Sequence, residues 1–142
     1  MAATIGLSPK PGHKVIRIGV DGSAWIEGFR CPDCGAVALE QTMACRGCGG
    51  RSPLEAFRAG PSGTVYSWGV IHRSYPGVAV PFISAIVDLD GGLTLKGTLR
   101  GIDSAALRAG QKVRVEFDNA GGSVDKDGTP YVGFHFVAEG AA

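Results

Sequence analysis

The 142-residue sequence lacks any apolar run near the roughly 20 residues needed to cross a bilayer, which excludes a helical membrane span. It also lacks a dominant sign of charge. Fourteen Lys and Arg stand against 13 Asp and Glu, a formal net of +1, so no summed field draws a polyanion to the chain. Met1 to Lys14 has no apolar centre of the secretory-signal kind, and the chain is expected in the cytoplasm. There is no internal repeat, no long low-complexity tract and no GxSxG nucleophile elbow. Every cysteine falls within one 18-residue window, so no separate thiol remains as a nucleophile.

What is abundant is glycine, with 23 residues, joined by 8 prolines; punctuation that dense suits many short strands better than long helices. Hydrophobic residues at 44% and charged residues at 19% are enough to fill a core, so the composition predicts an all-β globular chain. Residues 1–23 read as an N-terminal arm that contributes at most one strand, at Lys14 to Val20. Residues 24–59 form a cysteine-bearing lobe, with Arg58 to Gly63 as a linker, and residues 60–142 form the rest. From Thr64 onward the pattern alternates with a period close to two. Thr64 to His72, Phe82 to Asp88, Leu93 to Arg100, Lys112 to Asp118 and Tyr131 to Ala138 are predicted strands, rich in β-branched and aromatic residues. Asp90-Gly91-Gly92 signals a tight hairpin between the second and third. The single helical candidate is Asp103 to Ala109, capped by Asp103, and the polar Asp118 to Thr129 reads as an exposed loop. Five strands with a short helix between the third and fourth follow the order of an OB-fold, although periodicity alone fits other small barrels.

Cys31-Pro-Asp-Cys34-Gly and Cys45-Arg-Gly-Cys48-Gly are two copies of one device, a pair of thiolates two residues apart with glycine straight after the second. In such a knuckle the chain folds back until backbone N–H groups point at sulfur, and glycine accepts the left-handed turn that follows. Four thiolates around a divalent ion leave no open coordination position, which makes the predicted site structural and leaves it with two net negative charges. Ten residues separate the knuckles, fewer than the about 15–20 of one common zinc pattern but sufficient for a hairpin. Zn²⁺ is the expected ion; iron in a rubredoxin-like site uses the same four ligands. A dithiol redox pair fits less well, because it places its CxxC at the start of a helix, and Gly35, Gly49 and Gly50 disfavour helices here.

These residues carry a family resemblance when read in order: Gly28-Phe29-Arg30-Cys31, Gly63-Thr64-Val65-Tyr66-Ser67-Trp68, Pro81-Phe82-Ile83-Ser84-Ala85, Leu93-Thr94-Leu95-Lys96-Gly97 and Leu107 through Val115. From Glu27 to Val137 the chain resembles the zinc-ribbon plus OB-fold family catalogued as domain of unknown function 35. The resemblance implies an N-terminal rubredoxin-like zinc ribbon followed by a five-stranded OB-fold. It also implies a role as non-catalytic partner of thiolase-superfamily enzymes, which include thiolases, hydroxymethylglutaryl-CoA synthases, ketosynthase-like acyltransferases and steroid side-chain aldolases. A 2:2 heterotetramer with acyl-CoA at or near the interface is the implied assembly, since that superfamily builds on two-fold dimers. Many members begin with helices that contact CoA or the partner, whereas Lys14 to Trp25 reads here as strand, so no helix-borne CoA site is carried over.

Outside the cysteines, His72, Arg73, Ser74 and Tyr75 follow the first barrel strand. Without an orienting carboxylate or a nucleophile elbow they do not make a triad, and His72, Arg73, Tyr75 and Val78 are instead candidate contacts to the partner or to acyl-CoA. His13 and His135 read as a surface and a strand residue. Arg30, Arg46, Arg51 and Arg58 have the fork geometry that suits phosphate, but Glu27, Asp33, Glu40 and Glu55 neutralise the region. The alternative function is a single-strand nucleic-acid module that stacks bases on Tyr66, Trp68, Phe82, Phe117, Tyr131, Phe134 and Phe136. Seven basic against eight acidic residues from Pro61 to Ala142 leave that lobe without the charge such binding needs, and several of those aromatics alternate as barrel-filling positions do.

Overall fold

The computed structural model describes residues 9–139. The strands are β1 (Lys10–Pro11), β2 (Ile16–Ile18), β3 (Ala24–Arg30), β4 (Val37–Ala38), β5 (Glu55–Arg58), β6 (Ser62–Ile71), β7 (Phe82–Leu89), β8 (Thr94–Arg100), β9 (Lys112–Asp118) and β10 (Tyr131–Ala138). The chain is all-β apart from 3-10 turns, and no helix among the described residues is long and apolar enough to cross a membrane. Two compact units result: residues up to Ala59 together with Phe117–Gly133, and Gly60–Glu116 together with the residues after Gly133.

In the first unit, β3 is the central strand. It pairs antiparallel with β2 in the register Ile16↔Ile26, with β4 at Phe29↔Ala38, and with β5 at Gly28↔Phe57. Alternation buries Ile26 on β3, alongside Val15 and Ile16. The arm contributes Ile16–Ile18 as a strand, and also Lys10–Pro11, which lies parallel to Tyr131–Val132 of β10; residues before Pro9 lie outside the described part of the chain. The polar segment ahead of β10 is tethered rather than loose. Asp125 accepts from the amides of Asp127 and Thr129 and pairs with Lys10, whose hydrogen bond holds the Asp125 carboxyl down at about 2.

The second unit is the barrel. β6, β7 and β8 form an antiparallel meander, β9 pairs with the start of β6, β10 lies parallel to β8 at Phe136↔Leu99, and a β9–β10 pairing closes the ring. All five strands lie where the alternation predicts them, and Gly91 and Gly92, both at positive φ, make the β7–β8 hairpin. The core collects Val65, Val87, Leu89, Leu93, Leu95, Leu99, Leu107, Val113 and Phe136. The helical element is shorter than its predicted span: one 3-10 turn, Ser104–Ala106, capped by the Asp103 carboxylate on the Ala105 amide. Leu107 then turns extended and is 1% exposed, so burying that side chain ends the turn before a costly helix nucleus can pay back. Between β5 and β6 only Ala59–Pro61 remain as connector, because β5 runs to Arg58 and β6 starts at Ser62.

Gly97 sits between the inward-facing Leu95 and Leu99, and a Cβ built there would lie 2.9 Å from the Phe134 ring and 3.0 Å from Phe136. The missing side chain is therefore the space that those two edge-to-face rings occupy, their centroids 5.7 Å apart. Gly97→Val is expected to cost about 1–3 kcal/mol, the usual range for overpacking, read as a lower urea midpoint with unchanged m-value. On the acid side, a depressed Asp125 carboxyl stabilises its loop above the ordinary carboxylate range and releases it as pH falls through about 2. Hydrogen exchange at the Asp127 and Thr129 amides should accelerate over that window, and in Asp125→Ala it should be fast throughout.

Candidate metal centre and loop surface

β3 delivers Cys31 directly from its last residue, and the turn after it brings Cys34 back over the same point. The Cys31 amide donates to the Ala36 carbonyl at 2.8 Å and the Gly35 amide to the Cys31 carbonyl at 2.9 Å. The second knuckle repeats the pattern: Cys45 to Gly50 at 2.8 Å and Gly49 to Cys45 at 2.8 Å. Gly35 and Gly49 have φ of +79° and +73°, the left-handed geometry that the glycine after each CxxC predicts.

The four sulfurs all lie within 4.8 Å of one another, with Cys31 to Cys48 at 3.8 Å and Cys34 to Cys45 at 3.5 Å. A tetrahedral ion with metal–sulfur bonds of about 2.3 Å requires sulfurs about 3.8 Å apart, so the spacing fits such an ion and is far too long for disulfides. The structure brings all four predicted ligands together and can hold one metal ion. Cys31 and Cys45 are buried with Leu54 against Phe29, Ala36 and Ala38, whereas Cys34 and Cys48 face outward. Backbone amides of Gly47 and Gly50 donate to the Cys45 and Cys48 sulfurs at 3.3 and 3.4 Å. The Cys48 and Gly47 amides pull Cys45 down to about 6, whereas at Cys34 the Ala36 amide's opposing pull is outweighed by neighbouring sulfur and burial, which push it up to about 12.

Two supporting residues escaped the sequence reading. Gly47, inside the second CxxC, faces the first knuckle, and a Cβ there would lie 2.9 Å from Ala36 Cβ and 3.3 Å from the Cys34 sulfur. Gln41 closes the inter-knuckle hairpin: its side-chain amide donates to the Leu54 carbonyl at 2.9 Å, and its oxygen accepts from the Leu54 amide at 2.8 Å. Neither residue has a signal of its own, since a glycine between cysteines and a lone glutamine are common.

The arginine set divides. Arg30 lies over the Phe57 ring at 4.3 Å and Arg58 over Trp25 at 3.8 Å, so aromatic faces engage both, while Arg46 and Arg51 are exposed. A cleft of about 420 Å³ beside the first knuckle is lined by Arg30, Cys31, Pro32, Gly35, Glu55 and Phe57, among others. His135 is buried on β10 with Nε2 3.3 Å from Glu116, consistent with its reading as a strand residue. His72, Arg73, Tyr75 and Val78 lie on the exposed β6–β7 connection, where Tyr75 is 83% exposed and Val78 and Val80 follow at 44% and 42%. Of the aromatics considered as a stacking platform, Phe136 is buried, Phe82, Phe117, Tyr131 and Phe134 are half-buried, and Tyr66 and Trp68 are exposed.

With the barrel and the knuckles in place, the chain can be compared with known proteins. The family model for the C-terminal OB-fold domain of ChsH2 matches residues 58–118. A DUF35 domain-containing scaffold protein of Methanothermobacter thermautotrophicus is 25% identical over 114 residues, 78% of this chain and 84% of that protein. The chain belongs to the DUF35 OB-fold family. The alpha subunit of a 3-oxo-4,17-pregnadiene-20-carboxyl-CoA hydratase from Mycobacterium tuberculosis is 38% identical over 66 residues, which are 46% of this chain and 21% of that subunit. The benzoylsuccinyl-CoA thiolase subunit BbsA of Geobacter metallireducens is 32% identical over 80 residues, 56% of this chain and 53% of BbsA. The chain thus spans a fifth and about half of those two relatives. Among solved structures, the Ltp2-ChsH2(DUF35) aldolase superposes with a TM-score of 0.63 at 23% identity, over 80% of this chain and 84% of the matched chain, a likeness of fold.

Metal analysis of this DUF35 protein should return one tetrahedral ion per chain. Cobalt substitution should give the visible absorption of a tetrathiolate site, and Cys34→Ser should abolish that spectrum. Protein that is folded around Cys31 and Cys45 yet retains no ion after purification would contradict it.

Proposed function

We propose that the chain is a non-catalytic, zinc-binding partner subunit of a thiolase-superfamily acyl-CoA enzyme of the thiolase or steroid side-chain aldolase type. It stabilises the catalytic subunit and shapes the acyl-CoA channel. The observation that carries this reading is the family's OB-fold joined to a four-thiolate ribbon, in a family whose relatives are named as a scaffold and as subunits of acyl-CoA enzymes. A closed tetrathiolate site has no position for substrate, so its ion acts through folding, and zinc, which has no redox chemistry, suits that task.

The working division is an arm over 1–23, a ribbon over 24–59 and a barrel over 60–142. The contact we assign to the catalytic subunit is the β6–β7 connection. Loops are ordinarily polar, yet this one exposes Tyr75, Val78 and Val80, and aromatic anchors of that kind carry most of an interface's binding energy. His72 and Ser74, both exposed beside them, are placed as contacts and not as reacting groups. The expected assembly is a cytoplasmic 2:2 heterotetramer with acyl-CoA near the shared surface.

Co-expression with a thiolase-fold catalytic subunit should give one co-eluting complex that contains zinc and no iron. The purified chain alone should not turn over acyl-CoA thioesters. Tyr75→Asp with Val78→Asp should weaken the complex by roughly 30-fold or more, as expected for loss of an anchor worth about 2 kcal/mol. Separate elution of the unmodified proteins would rule out the assembly; unchanged co-elution of the double variant would remove the loop's role.

A further inference from the structure

The four-cysteine cluster is not symmetric toward solvent. Each knuckle supplies one buried cysteine, Cys31 or Cys45, and one exposed cysteine, Cys34 or Cys48. Space beside the outer pair is open, since a Cβ built at Gly35 or Gly49, the residue after each, would meet nothing within 4 Å. A cleft lined in part by Cys31, Pro32 and Gly35 reaches the first knuckle from the side. A small solute can therefore approach two of the four sulfurs without movement of the backbone.

Each exposed sulfur also rests against a buried one of the opposite knuckle. Cys34 Sγ lies 3.5 Å from Cys45 Sγ, and Cys48 Sγ lies 3.8 Å from Cys31 Sγ. Within a knuckle the turn is pinned by its own backbone: the Cys31 amide donates to Ala36 and the Gly35 amide to Cys31, and Cys45 and Gly49 repeat the pattern. A bond between the two sulfurs of one knuckle would work against those turns. A bond across the cluster leaves both turns intact.

We infer that the cluster is a peroxide-sensitive switch between an ion-held form and a disulfide-held form, the latter closed across the knuckles by Cys34–Cys45 and Cys31–Cys48 bonds. The inference rests on the reading that the four thiolates hold zinc. An exposed thiolate, Cys34 or Cys48, attacks one oxygen of hydrogen peroxide. The S–O bond forms, the O–O bond breaks and hydroxide leaves, so sulfur is oxidised by two electrons and the peroxide is reduced. The buried thiolate that rests against it then attacks the oxidised sulfur, forming the S–S bond and expelling the sulfenic oxygen as a second hydroxide. Two ligands are lost at once, because sulfur binds metal as thiolate and a disulfide offers none. The two that remain cannot close a tetrahedral site, so the chain releases its ion. A second peroxide oxidises the remaining pair in the same way, and a dithiol reductant regenerates all four ligands.

Zinc-loaded chain given one equivalent of hydrogen peroxide beside a chromogenic chelator should release most of its zinc and lose the mass of two hydrogens. Dithiothreitol followed by added zinc should restore the starting form. Peptide mapping should place the new bonds at Cys34–Cys45 and Cys31–Cys48. Cys34→His with Cys48→His keeps a two-cysteine, two-histidine set of the kind that holds zinc, and peroxide should release its ion about tenfold more slowly or less, because both accessible sulfurs are gone. Where that variant takes up no zinc, the map of the natural chain decides. A chain that holds no ion before peroxide is added overturns the zinc reading and the switch with it. Zinc that is present and stays bound overturns the switch alone, as does zinc lost while the sulfurs pass to sulfinic acid with no disulfide. Bonds within a knuckle, Cys31–Cys34 and Cys45–Cys48, also overturn it, and so does a double variant that releases zinc as fast as the natural chain.

Discussion

Four sulfurs held within 4.8 Å of one another repel as thiolates and contribute little as thiols, a constraint that a bound cation would relieve and around which the N-terminal unit is built. Everything around the cluster is arranged to present ligands. β3 ends at Arg30, one residue before Cys31, two short turns close on glycine, and Leu54 is held by Gln41 behind the buried pair. The hydrophobic group packed there consists of Cys31, Cys45, Leu54, Phe29, Ala36 and Ala38, with four short side chains among the six, and so little apolar area cannot offset the entropy of ordering two knuckles. Coordination of an ion by the four sulfurs would supply what burial does not.

The barrel follows a different logic, and that difference explains what the sequence makes legible. Strands whose alternate residues fill a closed interior must repeat with period two, so β7, β9 and β10 stand out from residue type alone. The cysteine ligands are equally plain, because thiolates two residues apart followed by glycine have few other uses. The length of the helical element was less legible. Asp103 signals a cap correctly, but the cap says nothing of where the element stops, and Leu107 stops it by entering the core. Gly97, Gly47 and Gln41 act through residues distant in sequence, on the Phe134 and Phe136 rings, the Cys34 sulfur and the Leu54 backbone, so no local pattern marks them.

The register shift in β6 is the clearest instance of information that period alone hides. Read as uniform alternation, Val65 predicts that Ser67 and Gly69 face inward and that Tyr66, Trp68 and Val70 face outward. With one residue inserted, Trp68 and Val70 share the face of Ala85 and Ile83. A strand that keeps strict parity would have set glycine and serine over the core; the bulge sets tryptophan and valine there. Since β9 leaves β6 after Thr64, those two side chains lie where fewer strands remain to cover them, which is why they are both inward by register and partly exposed.

Taken together, the two units carry chemically distinct features. An ion held by all four thiolates would have no open coordination position and would act through the fold of its lobe. The barrel spends its apolar excess outside its core, on Trp68 and Val70 at a strand edge and on Tyr75, Val78 and Val80 in a loop. These surfaces differ in kind. A strand edge recognises backbone and selects for an extended segment with matching register, whereas a loop recognises through side chains that fill pockets. The strand edge specifies hydrogen-bond geometry and the loop specifies shape.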